Sequence, residues 1–419
     1  MPYNATTANA YMKRRFVPKF VENALTSTQD AMFKAMTKIT DGSGEQNSFL
    51  FDGDDSFGVS PDFVISQTAA STLTATVGSR FLFDWSNASE VAQVTSDIIG
   101  KTRNNDGAWQ KAIDMAMKKK MNAFNHYNAV LQQGQGWGEL GQINTIVGST
   151  FKPSILSNIT KYVKGMPLHF SLSLNANGLR SPTVVYVTAV SYTVGSELVT
   201  VSATLASVST VNNDFAFIAG ARQDSATPAR LAWVGLDGWV PNQIGGVTDA
   251  NLITLGGVSR ASNSRLYGTF IDATGGGSIL GALIDGVQEA STIGNATRVR
   301  CFASRANFAT VAKDLNNAVR YDNGDARSKS IGTNKLVIYS DGQCEGTLET
   351  SRTTNDNQIW GFDPSIYILD SIGTAPHIES DDGLTMGRVG NAAAWEVRWF
   401  QQACSRLTNP PAALRIQLA

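Results

Sequence analysis

The sequence predicts an α+β fold organised around one long helix, and three observations lead there. Helical periodicity runs from Asp106 to Gln132, about 40 Å if continuous. Short runs rich in β-branched and aromatic residues, separated by Gly, Asp and Pro, fill the stretches on either side. Beyond residue 222 helical and strand patterns mix, and no internal repeat is present.

Residues 1–46 read as an arm. "YMKRRFVPKF" is basic and aromatic, and Pro18 interrupts any helix there. From Asn23 to Ile39 the spacing of Ala31, Met32, Ala35, Met36 and Ile39 predicts a helix, ended by "DGSGEQN". A helix this short needs a partner surface. Residues 47–100 hold four β-type runs, "SFLF", "DFVIS", "STLTATV" and "RFLFDW", read together as a long hairpin from about Ser48 to Asn87. A two-stranded ribbon is marginal alone in water, so residues 1–20 and 48–88 are expected to depend on a neighbouring chain.

Residues 101–142 carry the long helix. Asn105 or Asp106 can cap its free N–H groups. At 100° per residue Trp109, Ile113, Met117, Phe124, Tyr127 and Leu131 fall on one stripe, the candidate buried face. Lys120 shares that stripe and can reach outward with its amine. Gly134 ends the helix. Residues 143–225 alternate strongly through "TVVYVTAVSYTVGSELVTVSATL" and close on "NNDFAFIAG", a β-rich module that is a small barrel or a sandwich. In 226–334, "SILGALIDGVQEAST" and "SRANFATVAKDLNNAV" predict helices with the strand "RVRCFAS" between them. In 335–419, "LVIY", "SIYILD" and "EVRWFQQACSRL" predict strands, and Pro410 and Pro411 precede a last apolar run.

Composition narrows the function. Lys+Arg 34 against Asp+Glu 35 gives a net charge of −1, which does not point to a protein that seeks nucleic acid or an anionic membrane. Charged residues are 16% of the chain, against about 25% in ordinary soluble domains. So little charge favours association, and much of the surface is expected to lie under other copies of the chain. No run approaches the ~18 apolar residues of a spanning helix, and the first residues lack a secretory apolar core. Cys301, Cys344 and Cys404 are far apart and suit buried thiols in a reducing compartment.

The chemical motifs are weak. "GQGWGELG" holds G-x-G-x-x-G at Gly136, Gly138 and Gly141, but it follows a helix, whereas a phosphate loop must precede one; it reads as a flexible exit. "DGDDSFG" from Asp52 lacks the Glu at the twelfth position of a calcium loop, where Phe63 stands, and reads as a solvated tip. His126, His169 and His377 are too scattered for a metal cluster. Asp381 and Asp382 read as a turn, Met115, Met117 and Met121 as gap-filling residues, and Lys118 to Lys120 as a solvated face. No nucleophile motif is present. No metal, cofactor or catalytic residue is expected.

A basic arm, a long hairpin and a long helix ending in "LQQGQGWGEL" are followed, past the β-rich module, by "GVSRASNSRLYG", "GALIDGVQEAST", "CFASRANFATVAKDL" with "VRYDNG", and a closing "EVRWFQQACSRLTNPPAALRIQ". In this order the parts resemble the major capsid protein of tailed bacteriophages. The resemblance covers roughly 47–142 and 230–419, and it rests on architecture and loose patterns. It implies a tailed-phage capsid fold with 1–46 as N-terminal arm, 47–100 as extended hairpin loop, 101–142 as spine helix of a peripheral domain, 143–225 as an inserted β-rich module, 226–334 as axial domain and 335–419 as strands returning to both. "PPAALRI" resembles the last strand of the peripheral domain.

The implied function is structural and not enzymatic: hexamers and pentamers forming an icosahedral shell around double-stranded DNA, in a virion assembled in the host cytoplasm. The implied partners are other copies of the chain, a portal protein, a separate scaffolding protein, a decoration or cement protein, and packaged DNA held non-specifically, with no membrane. The chain lacks the long charged helical segment that serves some members as a built-in scaffold, so the mature chain is expected to keep its N-terminus. The alternatives are a cellular nanocompartment shell of the same fold, or a β-rich tail-associated binding protein or enzyme.

Charge distribution adds an assembly contact. Asp52, Asp54 and Asp55 have no base nearby in sequence, while Lys13, Arg14, Arg15 and Lys19 precede any acid. Packing like charges together is unfavourable, so the acidic segment is expected against the basic arm of an adjacent subunit. Each such pair contributes only ~0.2–1 kcal/mol, but a shell repeats it. Changing Asp54 and Asp55 to Lys should slow assembly while the subunit stays folded, and adding Arg14→Glu and Arg15→Glu should restore it. Normal assembly of the first variant at low salt, followed by light scattering, would refute the pairing.

Overall fold

The computed structural model describes residues 30–52, 60–72, 78–95, 106–174, 178–193, 195–223, 229–241, 250–260, 264–318, 335–340, 343–378, 387–389 and 394–419. Asp30 opens the first element: its Oδ1 accepts the Met32 N–H at 2.9 Å and caps α1 (Ala31–Ala35). The expected helix to Ile39 stops there. Met36 turns extended, and Thr37–Ile39 forms β1, parallel to residues 368–370. Pairing with that strand outweighs the local helical spacing, since it supplies backbone partners where β-branched residues fit well.

β2 (Gln46–Asp52) and β3 (Gly78–Asp84) form the hairpin in a register from Gln46↔Asp84 to Asp52↔Gly78. Between them "DFVIS" and the start of "STLTATV" are not strands but a helix, α2 (Phe63–Thr72). Asp62 explains the switch, because its carboxylate accepts the Val64 N–H at 2.8 Å and its carbonyl accepts the Ser66 N–H. The hairpin base is covered within the chain, contrary to the expectation of dependence on a neighbour across 48–88. Phe49, Phe81 and Phe83 stack on one face and meet Trp239 at centroid distances of 6.1, 5.5 and 5.6 Å.

β4 (Ser86–Thr95) leads to α3 (Asp106–Leu131), 26 residues long. Then come β5 (Glu139–Val147), β6 (Thr150–Pro153), β7 (Pro167–Ser171), β8 (Val185–Ser191), β9 (Leu198–Val201) and β10 (Phe215–Ile218). These six close into a barrel in the order β10-β5-β6-β9-β8-β7. Leu140, Ile143, Phe151, Phe170, Val185 and Val199 fill its interior, so it is a packed core and not a pore.

A ribbon of β11 (Arg222–Gln223) and β12 (Ala229–Arg230) precedes the short helices α4 (Leu236–Trp239) and α5 (Ala250–Ile253) and a second ribbon, β13 (Thr254–Leu255) with β14 (Val258–Ser259). Arg260 ties this region together from a fully buried position. Its guanidinium donates to the carbonyls of Gly238 and Leu252 at 2.9 and 2.6 Å and also reaches that of Trp239. Burial lowers its pKa to about 10.

The rest of the chain builds two sheets. Its elements are β15 (Thr269–Ala273), α6 (Ile279–Gly294), β16 (Arg298–Ala303), α7 (Arg305–Ala318), β17 (Lys335–Ser340), β18 (Glu345–Thr350), β19 (Gln358–Phe362), β20 (Tyr367–Ser371), β21 (His377–Ile378), β22 (Gly387–Arg388), β23 (Ala394–Leu407) and β24 (Leu414–Leu418). One sheet runs β15-β24-β19-β16-β18-β17, and Leu283, Val287 and Ala290 of α6 share a core with Val299, Leu414 and Ile416. The other runs β1-β20-β23-β21, with β4 and β22 also on β23. The closing strand joins the first of these, between β15 and β19, and not the sheet beneath α3 as its likeness to a last peripheral strand implied.

β4 pairs with β23 over ten residues, from Ser86↔Ala403 to Thr95↔Ala394. Across this pair lies α3: Phe124, 4% exposed, packs with Ala92, Val397 and Trp399, and Met117 and Met121 flank them. Leu131 is buried in the main core, Tyr127 packs against it half-buried, and Lys120 pairs with Glu90. Trp109 and Ile113 belong to α3, but their side chains lie outside the described residues. Phe124→Ala should lower unfolding free energy by about 3–5 kcal/mol in chemical denaturation of the subunit; a loss below about 1 kcal/mol would contradict this packing.

Candidate functional site

At the exit from α3, buried side chains tie together α3, α1, α4 and β24. "QQGQGWGE" was expected to be flexible, yet Gln132, Gln133, Gln135 and Trp137 are all buried. The loop wraps the Glu139 carboxylate. Oε1 accepts the Gln135 N–H, Oε2 accepts the Trp137 N–H at 3.2 Å, and a Cβ on Gly134 would stand 2.8 Å from Oε1. Gly138 adopts φ +67°, and a Cβ there would lie 2.3 Å from that of Ala221. Gly138 has to be glycine for want of space, and a side chain at Gly134 would displace the Glu139 carboxylate.

Each glutamine of the loop holds a different element. Gln132 Nε2 donates to the Met32 carbonyl at 3.0 Å, fixing α1. The Gln133 amide oxygen accepts from the Thr353 hydroxyl at 2.6 Å and the Thr354 N–H at 3.1 Å, while its nitrogen donates to the Thr353 carbonyl at 3.0 Å. Gln135 Nε2 donates to Asp237 Oδ2 at 2.9 Å, and the other Asp237 oxygen pairs with Arg415 of β24. Upstream on α3, Asn128 and Gln401 of β23 exchange two hydrogen bonds at 2.9 and 3.0 Å. These partners are buried, so losing one would leave the other unsatisfied.

Two charges sit inside this junction. Glu139 keeps some solvent contact as a residue, but its carboxylate lies deep, and burial pushes its pKa up despite hydrogen bonds from the Gln135 N–H and its own N–H; Asp237 raises it further and Lys161 opposes the rise. Burial lowers the pKa of Lys161, with Glu139 and Asp237 opposing. His126 on α3 contacts the Lys161 carbonyl through Nε2 at 2.9 Å, and burial lowers its pKa as well. The arrangement is a lock between bodies and shows no nucleophile with an adjacent base.

The candidate residues read from sequence distribute widely. Lys13, Arg14, Arg15, Lys19, Asp54, Asp55, Asp381 and Asp382 lie outside the described residues, as does the side chain of Asp52 at the end of β2. His126, His169 and His377 sit on three separate elements, and Lys118 and Lys119 are exposed. Among the described residues no group of three or more His, Cys, Asp or Glu could hold a metal, and no helix is long and apolar enough to cross a membrane. The Glu139 lock went unread, although an acid directly after a glycine-rich helix exit is a sequence signal for a carboxylate capping turned N–H groups.

This architecture is the capsid fold of tailed bacteriophages. No family model and no curated sequence matches the chain. Among solved structures it is similar to the capsid asymmetric unit of cyanophage A-1(L), with 10% identity, 99% of this chain and 98% of that chain covered, and a TM-score of 0.51. It is also similar to the capsid of a native GTA particle (7% identity, 99% and 98% covered, TM-score 0.47) and to a chain of Microbacterium phage Oxtober96 (9%, 100% and 100%, 0.45).

A carboxyl held above its ordinary 4.5 binds its proton more tightly in the fold than in the unfolded chain. Its contribution to stability is therefore full below 4.5 and declines as pH rises toward the raised value. Glu139→Gln removes that titration and cannot accept both N–H bonds equally. The variant should be less stable by about 1–3 kcal/mol, and its deficit should narrow as pH rises from 4.5. Thermal unfolding across a pH series measures both; a deficit that widens with pH would reverse the assignment.

Proposed function

We propose that the chain is the major capsid protein of a tailed bacteriophage, a structural and non-enzymatic subunit that closes into an icosahedral shell of hexamers and pentamers around double-stranded DNA. The observation that carries this reading is the likeness to a chain of the cyanophage A-1(L) capsid asymmetric unit over 99% of this chain and 98% of that one. The surface supports it. Leu50 on β2 and Phe63, Val64 and Ile65 on α2 are exposed, and apolar surface of this kind marks a site of contact with another molecule.

In this reading α3 is the spine of a peripheral domain with the β23 sheet, and the β24 sheet with α6 and α7 is the axial domain. The barrel is an insertion between them. The arm, hairpin and low charge density serve contacts between copies, which as obligate interfaces bury upward of ~2,000 Å². The near-neutral charge leaves packaged DNA free to slide past the wall, and a portal and a separate scaffolding protein complete the assembly, in the host cytoplasm, of the virion the shell belongs to. A decoration or cement protein would bind outside.

Negative-stain microscopy of the expressed protein tests the reading directly. Closed shells of uniform diameter are the expected result. Free particles of the 44.8 kDa chain under all assembly conditions would reject it.

A further inference from the structure

Histidine is the one side chain whose ordinary pKa places its charge change between about pH 5 and 8, and His126 stands where α3 meets the barrel. Its Nε2 lies 2.9 Å from the carbonyl of Lys161, the last residue of the 3₁₀ turn Leu156–Lys161 between β6 and β7. A carbonyl only accepts, so Nε2 carries the proton and Nδ1 is the position that acid would fill. Lys161 is drawn from its other end as well, because Glu139 of β5 and Asp237 of α4 attract its buried ammonium. The Tyr192 hydroxyl donates to the next carbonyl, that of Tyr162, at 3.1 Å.

Among the described residues the charges that face the ring are Arg352, beyond β18, and Asp30, the cap of α1. They oppose each other, and the Arg352 N–H donates to Asp30 Oδ2 at 2.8 Å, which holds the two together. Burial then decides. An imidazolium in a sheltered site lacks the water that its charge needs, and the carbonyl already in contact offsets this in part. The pKa of His126 accordingly lies below its ordinary 6.5, with burial as the largest cause.

We propose that His126 is an acid-released latch between α3 and the barrel. With the ring neutral, its Nε2–H holds the end of the 3₁₀ turn on the helix. Protonation at Nδ1 turns the ring toward the solvent that the half-buried residue already meets, and the Lys161 carbonyl is released. A lowered pKa gives stability that is full above 6.5 and is lost as pH falls through the lowered value. Glu139 has the opposite sign, since its pKa is raised. Acid thus loosens this seam at His126 and tightens it at Glu139. The Ser157 hydroxyl accepts the Asp356 N–H at 3.0 Å independently of the latch, so release frees the end of the turn and leaves its start docked. The latch belongs to the single subunit and stands or falls apart from the shell reading.

His126→Gln keeps an amide N–H within reach of the Lys161 carbonyl and cannot titrate. Hydrogen exchange at residues 157–163 of both chains, corrected for intrinsic rates, is followed from about pH 8 to pH 5. Glu139 is common to both chains, so its effect cancels in the comparison. The wild type should lose protection several-fold as pH falls, and the variant should keep it. Equal losses in the two chains, or no loss in the wild type, would overturn the proposal. Side-chain NMR of ¹³C-histidine-labelled wild type follows the ring directly and needs no variant. Its midpoint should lie below 6.5 and coincide with the loss of protection. A midpoint above 6.5, or a loss of protection at a pH where His126 keeps its charge, would overturn the proposal equally.

Discussion

The arrangement of this subunit depends on how the chain leaves its long helix. Within a few residues of Leu131 it must satisfy the last carbonyls of α3 and start a barrel strand, with Gln132, Gln133, Gln135 and Trp137 all buried. The Glu139 carboxylate makes this possible by collecting the N–H groups of Gln135 and Trp137, and glycines at 134 and 138 leave it and Ala221 the space. Neither feature suffices alone. Glycines without the acid would leave buried donors unpaired, and the acid without glycines would clash.

From that point the order of the other parts follows. The barrel starts at the locking residue itself. The Gln135–Asp237–Arg415 chain carries the junction to β24 and so to the sheet that holds α6 and α7, while Asn128 and Gln401 bind α3 to β23. Buried polar pairs add to the apolar contacts that hold helix, barrel and two sheets together. Such pairs carry specificity, because each is costly to leave half-made. A junction with one good arrangement gives helix, barrel and sheets one fixed relation.

Periodicity made α3, α6, α7 and most of the strands readable, since each buries one face over enough residues to show its repeat. It failed where tertiary pairing decides. β4 escaped notice because "SNASEVAQVT" turns small or polar residues, Ala88, Glu90 and Ala92, toward the helix that lies across it and leaves Val91 exposed, the reverse of the usual apolar-inward pattern. β1 was hidden inside a helical spacing, and α2 inside β-branched composition that the Asp62 cap overrides. The arm and the acidic hairpin tip were read from charge alone, and they lie outside the described residues. The junction was invisible because its partners, Met32, Thr353, Asp237 and Arg415, are distant in sequence.

The central claim is that buried hydrogen bonds to the Glu139 carboxylate fix how the chain leaves α3. Hydrogen exchange of the wild-type chain and of Glu139→Gln tests it most directly. The account predicts slow exchange at residues 132–139 in the wild type and faster exchange there in the variant. Fast exchange at 132–139 in the wild type, or no difference between the two, would contradict it.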